Sequence, residues 1–214
     1  MRPFLAAALV LTAAFVPVRA RAQGLGVQAN GVAVLAKRNA ALGGAAGSGT
    51  ATMTGFEFGF HAGWFGLRAQ VLDGKFPGQS AVPSTEITSG EARISLGARA
   101  FSVEGGYGRR AFTGQLGSQQ YAYGLAGARS TLDIGGTGIS ATLAGALYVN
   151  AGSVAGSKVT GAEGETALTW SPRHVPIFVT VGYRYEQFTV GTSAGDRPDE
   201  ISGVVLSAGL RLPS

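Results

Sequence analysis

The sequence predicts an all-β chain, a closed antiparallel up-and-down transmembrane β-barrel of ten strands, or alternatively of eight, on three observations. Apolar and polar residues alternate with period two in stretch after stretch, the pattern of strands that meet different media on their two faces. Only 14% of the 214 residues are charged while 45% are hydrophobic, and 35 are Gly; a soluble domain carries about 25% charged residues. Finally, wet loops and tighter turns alternate regularly along the chain, as in barrels with long hairpins at one end and short ones at the other.

Residues 1–22 read as a cleaved secretory leader. Arg2 is the positive start, residues 4–16 are apolar, and Ala20-Arg21-Ala22 offers a small-x-small site before Gln23. The apolar run is shorter than the ~20 residues of a spanning helix, and no later run reaches ~18. Residues 23–214 are then one barrel domain. The leader holds Arg2, Arg19 and Arg21 and no acid, so 14 basic and 12 acidic residues remain and the formal charge of +5 falls to +2. That balance argues against a nucleic-acid partner. With no Cys, disulfides and thiolate metal sites are excluded.

Residues 25–36 alternate weakly and make the first strand, and the Gly/Ala/Ser/Thr stretch to residue 52 reads as a loop. The clearest hairpin follows. Phe56, Phe58, Phe60 and Ala62 oppose Glu57, Gly59 and His61; after a small-residue break, Phe65, Leu67, Ala69 and Val71 oppose Gly66, Arg68 and Gln70. Residues 73–88 are a polar loop. Ala92, Ile94 and Leu96 oppose Glu91, Arg93 and Ser95, and beyond a break at Ala98-Arg99 the residues Phe101, Val103 and Tyr107 oppose Ser102 and Glu104. Residues 110–119 are a loop, 121–129 a strand, 132–138 a Gly-rich turn and 139–149 a strand. A loop at 150–157, a strand at 162–170, a Pro-punctuated turn at 171–176 and a strand at 177–186 come next. The loop 189–200 leads to a last strand ending at residue 212. Both ends of the barrel domain then lie on the short-turn side, which is the periplasmic side in an exported barrel.

Strand charges gather on one phase: Glu57, Arg68, Glu91, Arg93, Glu104, Glu163, Glu165, Arg184, Glu186 and Arg211. A charge facing lipid at the midplane costs about 2–4 kcal/mol, so that phase must be the inside. Two-residue turns at Ala62-Gly63 and Ala98-Arg99 set Glu57 opposite Arg68 and Arg93 opposite Glu104, and a turn centred on Arg173-His174 sets Glu163 opposite Arg184. Such rungs pair charges that would be costly alone. They form an internal network that fills a bore of eight to ten strands, which side chains nearly suffice to plug; the open alternative is a charge-lined, porin-like pore. Trp64, Tyr107, Tyr121, Tyr123, Trp170, Tyr183 and Tyr185 lie near predicted strand ends, Trp on the turn side and most Tyr on the loop side, as two interfacial girdles.

On these patterns the chain resembles the small bacterial outer-membrane barrels of the OmpA-like, OmpX-like and opacity-protein kind. Barrels of that kind end in a strand closing on an aromatic residue read by the assembly machinery; this chain ends Gly209-Leu210-Arg211-Leu212-Pro213-Ser214, without it. The resemblance implies a monomer in the outer membrane, with lipid and the assembly machinery as partners, loops available to an extracellular ligand, and a role in the cell envelope or at its surface. Some resembling barrels are enzymes acting on lipid A or peptides, and they use His with Ser or acidic partners. Here His61 and His174 fall at the periplasmic end, away from the outer rim, and no local motif supplies a nucleophile and its base. The expectation is a protein without catalytic residues, cofactor or metal. A third alternative is a soluble periplasmic β-sandwich or lipocalin-like binder.

Overall fold

Strands of this composition need a partner on both edges, and the chain supplies it by closing on itself. The computed structural model describes residues 25–42, 45–78, 84–114, 117–149, 158–172, 174–192 and 195–212. They form ten strands: β1 (Leu25–Leu42), β2 (Ala45–Ala62), β3 (Phe65–Phe76), β4 (Thr85–Ala98), β5 (Phe101–Gly114), β6 (Gly117–Ile134), β7 (Ile139–Val149), β8 (Lys158–Trp170), β9 (Ile177–Thr192) and β10 (Gly195–Leu212). Each strand pairs antiparallel with the next, and β1 pairs with β10 over Val27↔Leu212 to Ala40↔Asp199. The expected closed barrel of ten strands is therefore the fold, and a two-sheet sandwich is excluded.

The period of two puts alternate side chains on opposite walls, and the outer wall is the apolar one. Phe56 is 77% exposed and Trp64 69%, with Leu67, Val71, Ile94, Val103, Leu143, Leu147, Leu168, Val181, Leu206 and Leu210 also exposed. The 11 residues of β7 face outward with Ile139, Leu143, Leu147 and Val149; at ~3.4 Å per residue and ~45° of tilt they rise about 25 Å. Above that band, on the side away from the turns, the outer wall turns polar: Lys75 pairs with Glu86 at 3.0 Å, and Thr88 donates to Asp73 at 2.8 Å.

Several expected loops are strand. Residues 37–42, 45–52, 73–76, 85–88, 110–114, 117–119, 189–192 and 195–200 continue β1, β2, β3, β4, β5, β6, β9 and β10. These segments are small, polar or Gly-rich because they rise past the apolar band, where the outer wall no longer needs large apolar residues; the backbone ladder continues. Residues 132–134, read as turn, are likewise the end of β6. The expected leader and the expected loop 150–157 lie outside the described residues.

All three expected registers are corrected by the same amount. Glu57 stands opposite Gln70, with Gly59 opposite Arg68; Ser95 stands opposite Glu104; Glu163 stands opposite Glu186, with Glu165 opposite Arg184. Each pairing lies two residues from the expected one, so every side chain keeps its wall while its rung partner changes. The β2–β3 turn is Gly63-Trp64, closed by Ala62↔Phe65, because Gly63 takes φ +59°, the left-handed conformation that a two-residue hairpin demands. The β4–β5 turn is Arg99-Ala100, closed by Ala98↔Phe101.

Candidate functional site

The lumen is built from the inward phase of all ten strands and changes character along its length. Its middle carries an arginine–glutamate network. Arg93, 3% exposed, meets Glu163 at 2.5 Å, Glu104 at 3.5 Å and, closer still, Glu91. Arg129 donates to Glu104 at 2.9 Å and to Glu165 at 3.3 Å. Arg184 meets Glu165 at 3.1 Å and Glu186 at 3.7 Å, and donates to Gln70 Oε1 at 2.9 Å. Arg68 lies 3.9 Å from Glu57, 3.7 Å from Glu104 and 4.0 Å from Glu165. Arg110 donates to Glu186 at 2.6 Å, and Tyr148 donates its hydroxyl proton to Glu163 at 2.8 Å.

The network combines contacts within a strand or between neighbouring strands with contacts that cross the bore. In register, Arg68 faces Arg93 and Glu163 faces Glu186, like charge against like, an arrangement that destabilises a two-stranded ladder. The side chains resolve it by reaching across: Arg93 of β4 to Glu163 of β8, Arg110 of β5 to Glu186 of β9, Arg68 of β3 to Glu165 of β8, and Arg184 of β9 to Gln70 of β3. Five arginines and six glutamates thus meet with nearly balanced charge, which keeps the cost of burying them low. Several of these contacts span the bore.

Above the network, toward the long hairpins, the lumen becomes apolar. Val32, Val34, Ala36, Met53, Leu72, Phe76, Ile87, Phe112 and Ile201 form one buried cluster, with Ile87 fully buried. Tyr123, Leu125, Ala146, Tyr148 and Phe188 form a second, and Tyr121 packs against both. Tyr148 stacks on Phe188 at 4.6 Å, Tyr123 packs edge-on against both rings, and the Arg110 guanidinium lies 4.3 Å above Phe188. Near the same end Arg38 donates to Asp199 at 2.8 Å and covers Phe112. This layer was not expected from the sequence, because Phe76, Ile87 and Phe112 fall in stretches read as loops.

Below the network, on the turn side, lies an open vestibule of about 490 Å³. Its ceiling is Glu57, Arg68, Glu104, Arg129, Glu165 and Arg184, and its walls are hydroxyl-rich. Thr131 and Thr142 bond at 3.1 Å and Thr169 and Thr180 at 2.9 Å.

Of the ten charges expected inside, nine belong to the network; Arg211 instead sits in the vestibule. Arg110 and Arg129 were missed. A signal existed for both: Arg110 shares the phase of Glu104, and Arg129 shares that of Tyr121 and Tyr123. The same signal corrects two girdle residues, since Tyr123 is 0% exposed and Tyr121 packs with it inside. Trp64, Tyr107, Trp170, Tyr183 and Tyr185 are exposed on the outer wall. His61 stands one residue before the end of β2 on the inward phase, and His174 is exposed in the β8–β9 connection. Among the described residues no group of three His, Asp or Glu side chains is arranged to hold a metal.

The fold and the lumen together define a ten-strand antiparallel barrel turned inside out relative to a soluble one, with ion pairs in the bore and large apolar side chains outside. No family model matches the chain, and no curated protein matches it. Among solved structures it is similar to the translocator domain of the autotransporter NalP from Neisseria meningitidis, at 15% identity and TM-score 0.45, covering 97% of this chain and 95% of that one. It is also similar to Pseudomonas aeruginosa OpdQ, at 8% identity and TM-score 0.23, covering 88% of this chain and 98% of that one.

Proposed function

We propose that this chain is a monomeric bacterial outer-membrane barrel whose bore is closed, with a structural or surface-interaction role in the envelope and no catalytic or transport activity. The observation that carries this reading is the inverted polarity of the wall: a band of exposed Phe, Leu, Val and Ile about 25 Å tall by strand geometry, around a bore in which carboxylates and guanidiniums are paired. Water would not tolerate that outer wall on a soluble monomer, and a lipocalin-like binder would need an apolar interior throughout. The trans-lumen pairs and the apolar layer above them support a filled bore. Strands that rise past the apolar band, edged by pairs such as Lys75–Glu86, give the surface role a stiff palisade of hairpins.

Two measurements test it. In detergent gels the unheated protein should migrate as a folded species that shifts on boiling; a protein that stays soluble and monomeric without detergent would overturn the membrane reading. In planar bilayers the wild type should give no steady conductance; sustained open channels would overturn the closed bore.

A further inference from the structure

We infer that the vestibule on the turn side is a binding site for a small soluble oxyanion, such as a phosphate or carboxylate group, centred on Arg211. The charges of its ceiling cancel: Arg68, Arg129 and Arg184 stand against Glu57, Glu104 and Glu165, already engaged with one another. At the mouth, Arg99 is paired with Asp133 at 3.1 Å. Arg211 is different. It lines the cavity, and no described carboxylate lies within 4.0 Å of it.

Its guanidinium is nonetheless held in place. One Nη2 hydrogen bond goes to Gln28 Oε1 at 3.3 Å, and the group lies 4.9 Å above the Phe178 ring. One bond among the described residues leaves most of its five N–H donors to other partners, in the planar fork that matches an oxyanion. None of its nitrogens is a buried atom lacking a partner, unlike Arg110 Nε or Arg184 Nε, so these donors are open to the cavity or its water.

Two glycines make room around it. A Cβ at Gly59 would fall 2.6 Å from the Gln28 side chain, and one at Gly26 would fall 2.0 Å from the His61 ring. Gln28 therefore lies over Gly59, beside Arg211 in the β1–β10 register, and the His61 imidazole lies over Gly26. Arg211, Gln28 and His61 converge on the three adjacent strands β10, β1 and β2, and supply guanidinium, amide and imidazole donors from one wall of an otherwise hydroxyl-lined cavity. A divalent cation would find no unpaired carboxylate among the described residues there.

The test uses the full barrel folded in a maltoside detergent, titrated calorimetrically with inorganic phosphate at fixed ionic strength and with chloride as the control. Saturable phosphate binding is expected, at least tenfold tighter than chloride. Arg211→Gln should weaken it at least tenfold and Gln28→Ala severalfold, while Arg99→Gln should change it less than twofold. Heat-modifiable mobility of each variant reports that the barrel is folded. Absence of saturable phosphate binding in the wild type would overturn the proposal, and so would a folded Arg211→Gln barrel that binds phosphate as well as wild type. The closed-bore reading stands or falls separately, on conductance.

Discussion

Arg93 shows what a single side chain does in this bore. It meets Glu91, Glu104 and Glu163, so its removal takes a cation from three carboxylates; Glu104 keeps Arg129, while Glu91 and Glu163 lose their closest guanidinium. Breaking a buried pair by deleting one partner costs about 3–5 kcal/mol, whereas replacing both partners by apolar groups is often close to neutral. Arg93→Ala should therefore lower unfolding stability in denaturant by about 3–5 kcal/mol, and the double change Arg93→Leu with Glu163→Leu by about 1–2 kcal/mol, the rest reflecting Glu91 and Glu104. A single change no worse than the double one would contradict the trans-lumen pairing. The identity of the inward charges was legible because period two needs no knowledge of partners. The partners were legible only in part: Arg93 does meet Glu104 and Arg68 does meet Glu57, as expected, but a guanidinium reaching across a barrel leaves no trace in sequence spacing, so the contact of Arg93 with Glu163 of β8 was missed.

At the level of strands, the three hairpin registers illustrate what alternation can and cannot specify. Moving a rung by two residues preserves the wall of every side chain, so the hydrophobic pattern is blind to it; only turn chemistry distinguishes the options. Gly63 decides the β2–β3 case through its positive φ. Cysteine pairs on the outer wall read the result directly. Phe56 stands opposite Val71; opposed residues have Cβ atoms ~5 Å apart and diagonal ones ~7–8 Å apart. Phe56→Cys with Val71→Cys should crosslink under mild oxidant at least tenfold faster than Phe56→Cys with Ala69→Cys, and the reverse order would restore the expected turn at Ala62-Gly63. Strand ends were harder to read than strand centres. In residues 47–52 and 111–114 the outer wall is small or polar, so the alternation that marks the membrane-height part fades although the ladder goes on.

For the whole molecule, the outer wall predicts its own depth profile. Trp64 is the second residue of the β2–β3 turn and Trp170 ends β8, so both stand at the turn-side edge of the apolar band. In bilayers containing brominated lipids, their fluorescence should be quenched most by bromines near the headgroups and least by bromines near the chain ends. Strongest quenching from the chain ends would place the band elsewhere. The inverted polarity was readable from composition and phase together. The apolar layer in the upper bore was hidden because interior packing follows from closure, and closure brings together residues from distant strands.

That closure has a kinetic side. The seam joins Val27 to Leu212 and Ala40 to Asp199, contacts between the first strand and the last, which carry a large loop-closure cost and make folding slow. Until β10 arrives, β1 exposes a bare row of amides and carbonyls, and every ion pair to β8 or β9 lacks half of its bore. Such an intermediate has open edges that hydrocarbon cannot satisfy and that other chains can. A half-made barrel of this sequence therefore has edges open to pairing with other chains. Its safe passage depends on delaying the burial of its charges until the ring can be joined.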